Sequence, residues 1–187
     1  MKTVGNFTFH ETGIDGVVIV EPKRYGDERG YFSETYREDV FREAGLDYRF
    51  VQDNQSRSKK GVLRGLHFQK THPQAKLVRV IEGEVFDVAV DLRAGSPTFG
   101  KWVGEVLTAE RGNQLMIPRG FAHGFLVLSE YATFCYKCDE IYHPEDEGGI
   151  LWNDPDVGIA WPLAGEPLLS EKDKLHPTLK RSGAIFG

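Results

Sequence analysis

Short runs of alternating apolar and polar residues dominate this chain. From Val85 to Leu92, the side chains of Val85, Asp87, Ala89 and Asp91 fall on one face of an extended strand, and those of Phe86, Val88, Val90 and Leu92 on the other. One face is expected to be core and the other partly polar. Similar runs, rich in β-branched and aromatic residues, predict strands at Val17–Glu21, Gly30–Tyr36, Phe50–Ser56, Val62–Phe68, Lys76–Glu82, Trp102–Thr108, Gln114–Ile117, Ala122–Leu128 and Ala132–Lys137. Turn chemistry such as Glu82-Gly83-Glu84 and Gly95-Ser96-Pro97 separates them. About ten strands at this spacing predict an all-β sandwich or barrel. A single segment reads as helix: Arg37–Ala44 carries Val40, Phe41 and Ala44 on one face, with Gly45 at the C-cap position. It is expected to be an amphipathic cover. From Trp152 onward prolines alternate with polar residues, which predicts an ordered, irregular wrap around the sandwich.

The chain has 187 residues, 40% of them hydrophobic, enough for one domain over residues 1–187 with a core that needs no disulfides. The charge of −5 is spread without blocks, which argues against nucleic acid as the main partner. No apolar run approaches the roughly 18 residues of a membrane span, and Met1–Asn6 lacks the apolar stretch of a signal peptide, so a cytoplasmic protein is expected. The two cysteines, Cys135 and Cys138, form a lone C-x-x-C. Positions three apart on a strand face opposite ways, so a structural role is expected for both.

The spacing Gly112-x5-Pro118-x-Gly120-x2-His123 resembles the second motif of the cupins, small jelly-roll barrels whose mouth often holds a metal. The first cupin motif can be laid on Gly61 to Gly83, where Gly61-x5-His67 fits. Gln69, however, stands in place of the second metal histidine, and Lys76 in place of the glutamate. A lysine where an anionic ligand belongs disfavours a divalent metal. A histidine base with an ammonium beside it suits proton abstraction with stabilisation of an oxyanion.

Within this fold the chain resembles the dTDP-4-dehydrorhamnose 3,5-epimerases. The resemblance rests on Asp27-Glu28-Arg29-Gly30-Tyr31-Phe32-Ser33-Glu34, Phe50-Val51-Gln52-Asp53-Asn54, Leu63-Arg64-Gly65-Leu66-His67-Phe68-Gln69 and Gln74-Ala75-Lys76-Leu77-Val78-Arg79-Val80. It continues through Asp87–Asp91, Ile117–Phe125, Trp152–Pro155 and Leu169-Ser170-Glu171-Lys172-Asp173, and so spans nearly the whole chain. It implies a cupin-like jelly roll with a few short peripheral helices, a cofactor-free epimerase of a dTDP-linked 4-keto-6-deoxyhexose, and a symmetric homodimer. Inversion at both C3 and C5 is expected, with a single-centre epimerase as the nearest rival.

The site residues implied by this resemblance are His67 as general base, Asp173 as its orienting carboxylate, Tyr136 as general acid and Lys76 as the cation near O4. Arg29 and Arg64 match contacts to diphosphate or nucleotide, and Glu34, Gln52, Asp53 and Asn54 match contacts to nucleotide and sugar. His123, Glu147 and Lys172 match further substrate contacts, and Tyr142 matches a ring stacked on thymine. Phe68 and Asp139-Glu140-Ile141 depart from the family's usual tyrosine and threonine-containing segments. His10, His72, His143 and His176 carry no motif and are expected at the surface or in turns. Two competing classes stay open: a metal-dependent cupin using His67 and His123, and a non-catalytic binder of nucleotide sugars.

Overall fold

The computed structural model describes residues 1–182 and 186. Its strands are β1 (Lys2–Val4), β2 (Phe7–Glu11), β3 (Val18–Pro22), β4 (Tyr25–Asp27), β5 (Gly30–Phe32), β6 (Gln52–Lys59), β7 (Leu63–Gln69), β8 (Lys76–Glu82), β9 (Glu84–Asp91), β10 (Trp102–Thr108), β11 (Gln114–Ile117), β12 (Phe121–Val127), β13 (Tyr131–Cys138) and β14 (Glu147–Gly149). Seven form one antiparallel sheet in the order β1-β2-β3-β11-β8-β13-β6, and five form a second in the order β10-β9-β12-β7-β14. A separate two-stranded hairpin, β4-β5, stands outside both sheets. The expected strand Gly30–Tyr36 ends at Phe32, while β1, β2, β4 and β14 add to the expected set.

The sheets face one another across a core of Val78, Val80, Val85, Ala89, Leu115, Phe125 and Phe134. The far side of the larger sheet is covered by the helix α1 (Glu38–Ala44). Val40 and Phe41 are buried there against Phe7, Phe9, Leu77 and Met116, and a fully buried side chain of this kind contributes about 1.5–3 kcal/mol. The helix stops where Gly45 adopts a left-handed φ of 97°, its N–H bonding back to Phe41 and Arg42 carbonyls.

The far side of the smaller sheet corrects one expectation. The face of β9 bearing Val88 and Val90 is sealed by Ile150, Val157 and Leu179 from the C-terminal segment, so β9 has no solvent face. Its polar residues, Asp87 and Asp91, are instead buried on the face turned toward the other sheet. The wrap expected from Trp152 onward thus forms a third layer, pinned to β7 by Leu168 pairing with Val62. Among the described residues no helix is long and apolar enough to cross a membrane.

Candidate active site

The centre of the site is made where β7 leaves regular pairing. Strict alternation would put Arg64 and His67 on opposite faces, but β12 pairs His123 with His67 and Phe125 with Arg64, skipping a position on β7. Gly65 permits this, with φ of 126° and no room for a side chain: a Cβ there would lie 2.6 Å from the Gly124 Cα. Both side chains therefore reach one cleft of about 650 Å³, whose walls include Lys59, Leu168, Ser170 and Lys172.

Asp173 enters from the C-terminal layer, at the start of a single 3₁₀ turn (Asp173–Leu175). Its N–H donates to Ser170 Oγ (3.1 Å), and its carboxylate Oδ1 lies 2.5 Å from His67 Nε2. A carboxylate only accepts, so in the neutral ring Nε2 carries the proton and Nδ1 keeps the lone pair. Asp173 is 2% exposed. Burial alone would raise its pKa, yet the hydrogen bond and charge of His67 outweigh that and hold it below the ordinary carboxylate range.

The opposing sheet supplies the other groups. Tyr136 pairs with Asn54 and Val78, and Cys138 with Gln52 and Lys76, so Lys76, Tyr136, Gln52 and Asn54 share the inner face. Lys76 Nζ sits 5.9 Å from the Tyr136 ring centre. Burial lowers the Lys76 pKa, against the pull of Cys138, Asp87 and Glu147. Burial raises that of Tyr136, leaving a neutral phenol at physiological pH. Glu147 of β14 ties the two sides together, because its charge bears on both Lys76 and Tyr136, while hydrogen bonds from Lys172 and Tyr142 and the charges of His67 and Lys172 outweigh burial and hold its own pKa down. It accepts hydrogen bonds from Lys172 Nζ (2.6 Å) and Tyr142 Oη (2.8 Å). Gln52 holds the Tyr142 loop by accepting its N–H (2.8 Å) and donates to Asn54 Oδ1 (3.0 Å). Arg64 donates to Ser58 Oγ.

Three of the expected residues lie elsewhere. Asp53 falls on the outer face of β6, in an exposed ion pair with Lys137 (2.9 Å), because it alternates with Gln52 and Asn54. Arg29 is on the β4-β5 hairpin, fully exposed and bonded to Asp27. Glu34 bonds Asn6 (2.7 Å) beneath that hairpin. Of the expected residues, Arg64, His67, Lys172 and Asp173 line the cleft itself. The cysteines fall on opposite faces, both free, as the strand geometry requires.

His123 is the register partner of His67 but is buried, with its Nε2 2.9 Å from the equally buried Asp87. The metal set of a cupin cannot be assembled around these two histidines. Gln69 spends its amide on two loops, donating to the Ile141 and His72 carbonyls and accepting the His143 N–H. The position of an anionic ligand holds the ammonium of Lys76, so the donors do not fit a divalent cation there.

One residue of the site was hidden in the sequence. His176, expected at the surface or in a turn, is largely buried beside Asp173, with Nε2 3.6 Å from the same Oδ1 and its ring set edge-on to His67 at 5.6 Å. In a 3₁₀ turn residues three apart eclipse, which stacks His176 on Asp173. The available signal was the spacing Asp173-x-x-His176, legible only once that turn is known.

The family model described as dTDP-4-dehydrorhamnose 3,5-epimerase matches residues 11–181. A dTDP-4-dehydrorhamnose 3,5-epimerase of Methanothermobacter thermautotrophicus is 57% identical over 96% of this chain and 98% of its own length. One of Pseudomonas aeruginosa is 60% identical over 86% of this chain and 90% of its own. The crystal structure of a dTDP-6-deoxy-D-glucose-3,5-epimerase from Legionella pneumophila, in complex with dTDP-4-keto-L-rhamnose, superposes with a TM-score of 0.93 at 54% identity, covering 95% of both chains. A cupin-like sandwich whose inner face carries His67, Tyr136 and the buried Lys76 thus belongs to the dTDP-4-dehydrorhamnose 3,5-epimerase family, and the chain is a 3,5-epimerase.

Proposed function

We propose that the chain inverts C3 and C5 of dTDP-4-keto-6-deoxyglucose to give dTDP-4-dehydro-L-rhamnose, with His67 as the shared base. The observation that carries the assignment is the His67–Asp173 bond of 2.5 Å at the wall of an open cleft. Both carbons are alpha to the C4 ketone, so loss of either proton gives an enolate with its charge on O4. His67 Nδ1 takes the proton, and the imidazolium is stabilised by Asp173 while Nε2 stays bonded to it. Lys76 faces the developing charge on O4, where a preorganised cation in a desolvated site is worth far more than in water. Tyr136, kept protonated by burial, returns a proton to the carbon from the opposite face and so inverts it. No metal or organic cofactor is needed for this chemistry.

The substrate reading is supported by the dTDP-sugar in the Legionella relative. On this reading Arg64 meets the diphosphate, Tyr142 stacks on the base, and Gln52, Asn54, His123, Glu147 and Lys172 line the sugar and nucleotide path. Arg29 and Glu34 serve the substrate through a symmetric homodimer. The hairpin that carries Arg29 exposes Tyr31 (63%) and Phe32 (66%), apolar surface suited to a second copy rather than to water. Asp53, on the outer face in an ion pair with Lys137, takes no part in this reading. A cytoplasmic address fits two free thiols.

Tyr136→Phe tests the division of labour. In deuterated buffer the variant is expected to retain exchange at C3 and C5 while net inversion falls by about 10²–10⁴-fold, the usual worth of a positioned acid. Equal loss of exchange and inversion would remove Tyr136 from the acid role.

A further inference from the structure

His176 takes no part in this cycle. Its Nε2 is buried, makes no hydrogen bond among the described residues, and points at the Asp173 carboxylate. The donor atoms of His67, Asp173 and His176 all lie within 4.8 Å of one another. Gly149 of β14, the register partner of His67, makes the space: a Cβ there would stand 2.4 Å from the His176 ring. Two imidazole nitrogens and one carboxylate, with a face open to the cleft, are the donor number and type that hold Zn²⁺ in a four-coordinate site with one position left for water.

We propose that His67, Asp173 and His176 form a site for a divalent transition metal, Zn²⁺ above all, whose occupation switches the enzyme off. It shares His67 with the metal site of the cupin fold but none of that site's other positions, Gln69, Lys76 and His123. The separation between His176 and Asp173, 3.6 Å, is already close to that of two ligands on one tetrahedral zinc, given bonds of about 2.0–2.1 Å. The His67–Asp173 contact must open by less than an ångström, and His67, 27% exposed, has the cleft to move into.

Inhibition follows from the tautomer and rests on the assignment of His67 as the base. In the free enzyme the ring proton is on Nε2 and the lone pair on Nδ1. When Nε2 gives its lone pair to the metal, the single ring proton has to sit on Nδ1. No proton is gained or lost, but the basic position disappears.

The test uses the full-length, chelator-treated and desalted enzyme, titrated with Zn²⁺ by calorimetry and with Co²⁺ by visible absorption, followed by turnover at each occupancy. One Zn²⁺ per chain is expected, and Co²⁺ should give the intense ligand-field bands of four-coordination. His176→Ala and the volume-conserving His176→Gln should each weaken binding by more than the roughly 10–100-fold cost of losing a mere outer partner of a metal ligand. Cys135→Ser and Cys138→Ser should leave it unchanged. Turnover, normalised to each variant's own metal-free rate, should fall with occupancy in the parent and recover on adding chelator. Absence of stoichiometric binding, or binding indifferent to His176, would overturn the site. Stoichiometric, His176-dependent binding with undiminished turnover would uphold the metal site but overturn its inhibitory role and, with it, His67 as the base.

Discussion

Two histidine–carboxylate pairs stand side by side in this molecule, on register-matched positions of neighbouring strands, and they do different things. His67 of β7 meets Asp173 at 2.5 Å, and His123 of β12 meets Asp87 at 2.9 Å. Chemically the pairs are alike. The first histidine is partly open to a cleft, and its carboxylate arrives from the irregular C-terminal layer. The second pair is almost closed to solvent, and both members come from regular strands of one sheet. Access, rather than residue type, separates the two, and under the proposed mechanism it leaves only His67 able to reach a substrate carbon.

This contrast sets the order of expected effects. Asp173→Asn should lower kcat by about 10²–10⁴-fold, because the amide can present its NH₂ to Nε2 and reverse the tautomer. Its melting temperature should change little, so steady-state kinetics beside a thermal melt will separate the effects. Asp87→Ala should do the opposite kind of damage. Removing one partner of a buried, hydrogen-bonded pair costs about 3–5 kcal/mol, read by denaturant unfolding. If Asp87→Ala were as stable as the parent, the buried pair would not be the scaffold described.

A smaller effect concerns pH. Asp91 is fully buried, and although burial raises its pKa, hydrogen bonds from Arg93, Thr98 and Ser96 hold it below the usual carboxylate range. A depressed folded-state pKa gives stability that is complete above the unfolded value of about 3.9 and is lost as pH falls toward the folded one. Stability of the parent should therefore drop on acidification below about pH 4, and Asp91→Asn should flatten that limb while being less stable at pH 7. Unfolding midpoints across pH 3–7 would check it.

How far the sequence reached follows the same division between regular and irregular structure. The boundaries of β8, β10 and β11 and the C-cap at Gly45 were legible, because alternation and turn residues are local signals. β14 was not, since Glu147-Gly148-Gly149 has no strand propensity and pairs only because β7 offers an edge. The covered outer face of β9 was misread because its cover lies some sixty residues downstream, a tertiary fact. Within the site, alternation along β6 separates Asp53 from Gln52 and Asn54, a distinction the motif Gln52-Asp53-Asn54 conceals. The meeting of Arg64 with His67 needed the skipped position at Gly65, and the meeting of His67 with Asp173 and His176 needed a turn over a hundred residues away.

If one base serves both carbons, hydrogen exchange at C3 and at C5 must depend on it alike. Proton NMR of dTDP-4-keto-6-deoxyglucose in deuterated buffer, with the chelator-treated parent and with His67→Asn, would follow C3 and C5 separately. The account predicts exchange at both positions in the parent and at neither in the variant, with dTDP still bound by both. Exchange at either carbon by His67→Asn at a rate near the parent's would contradict it.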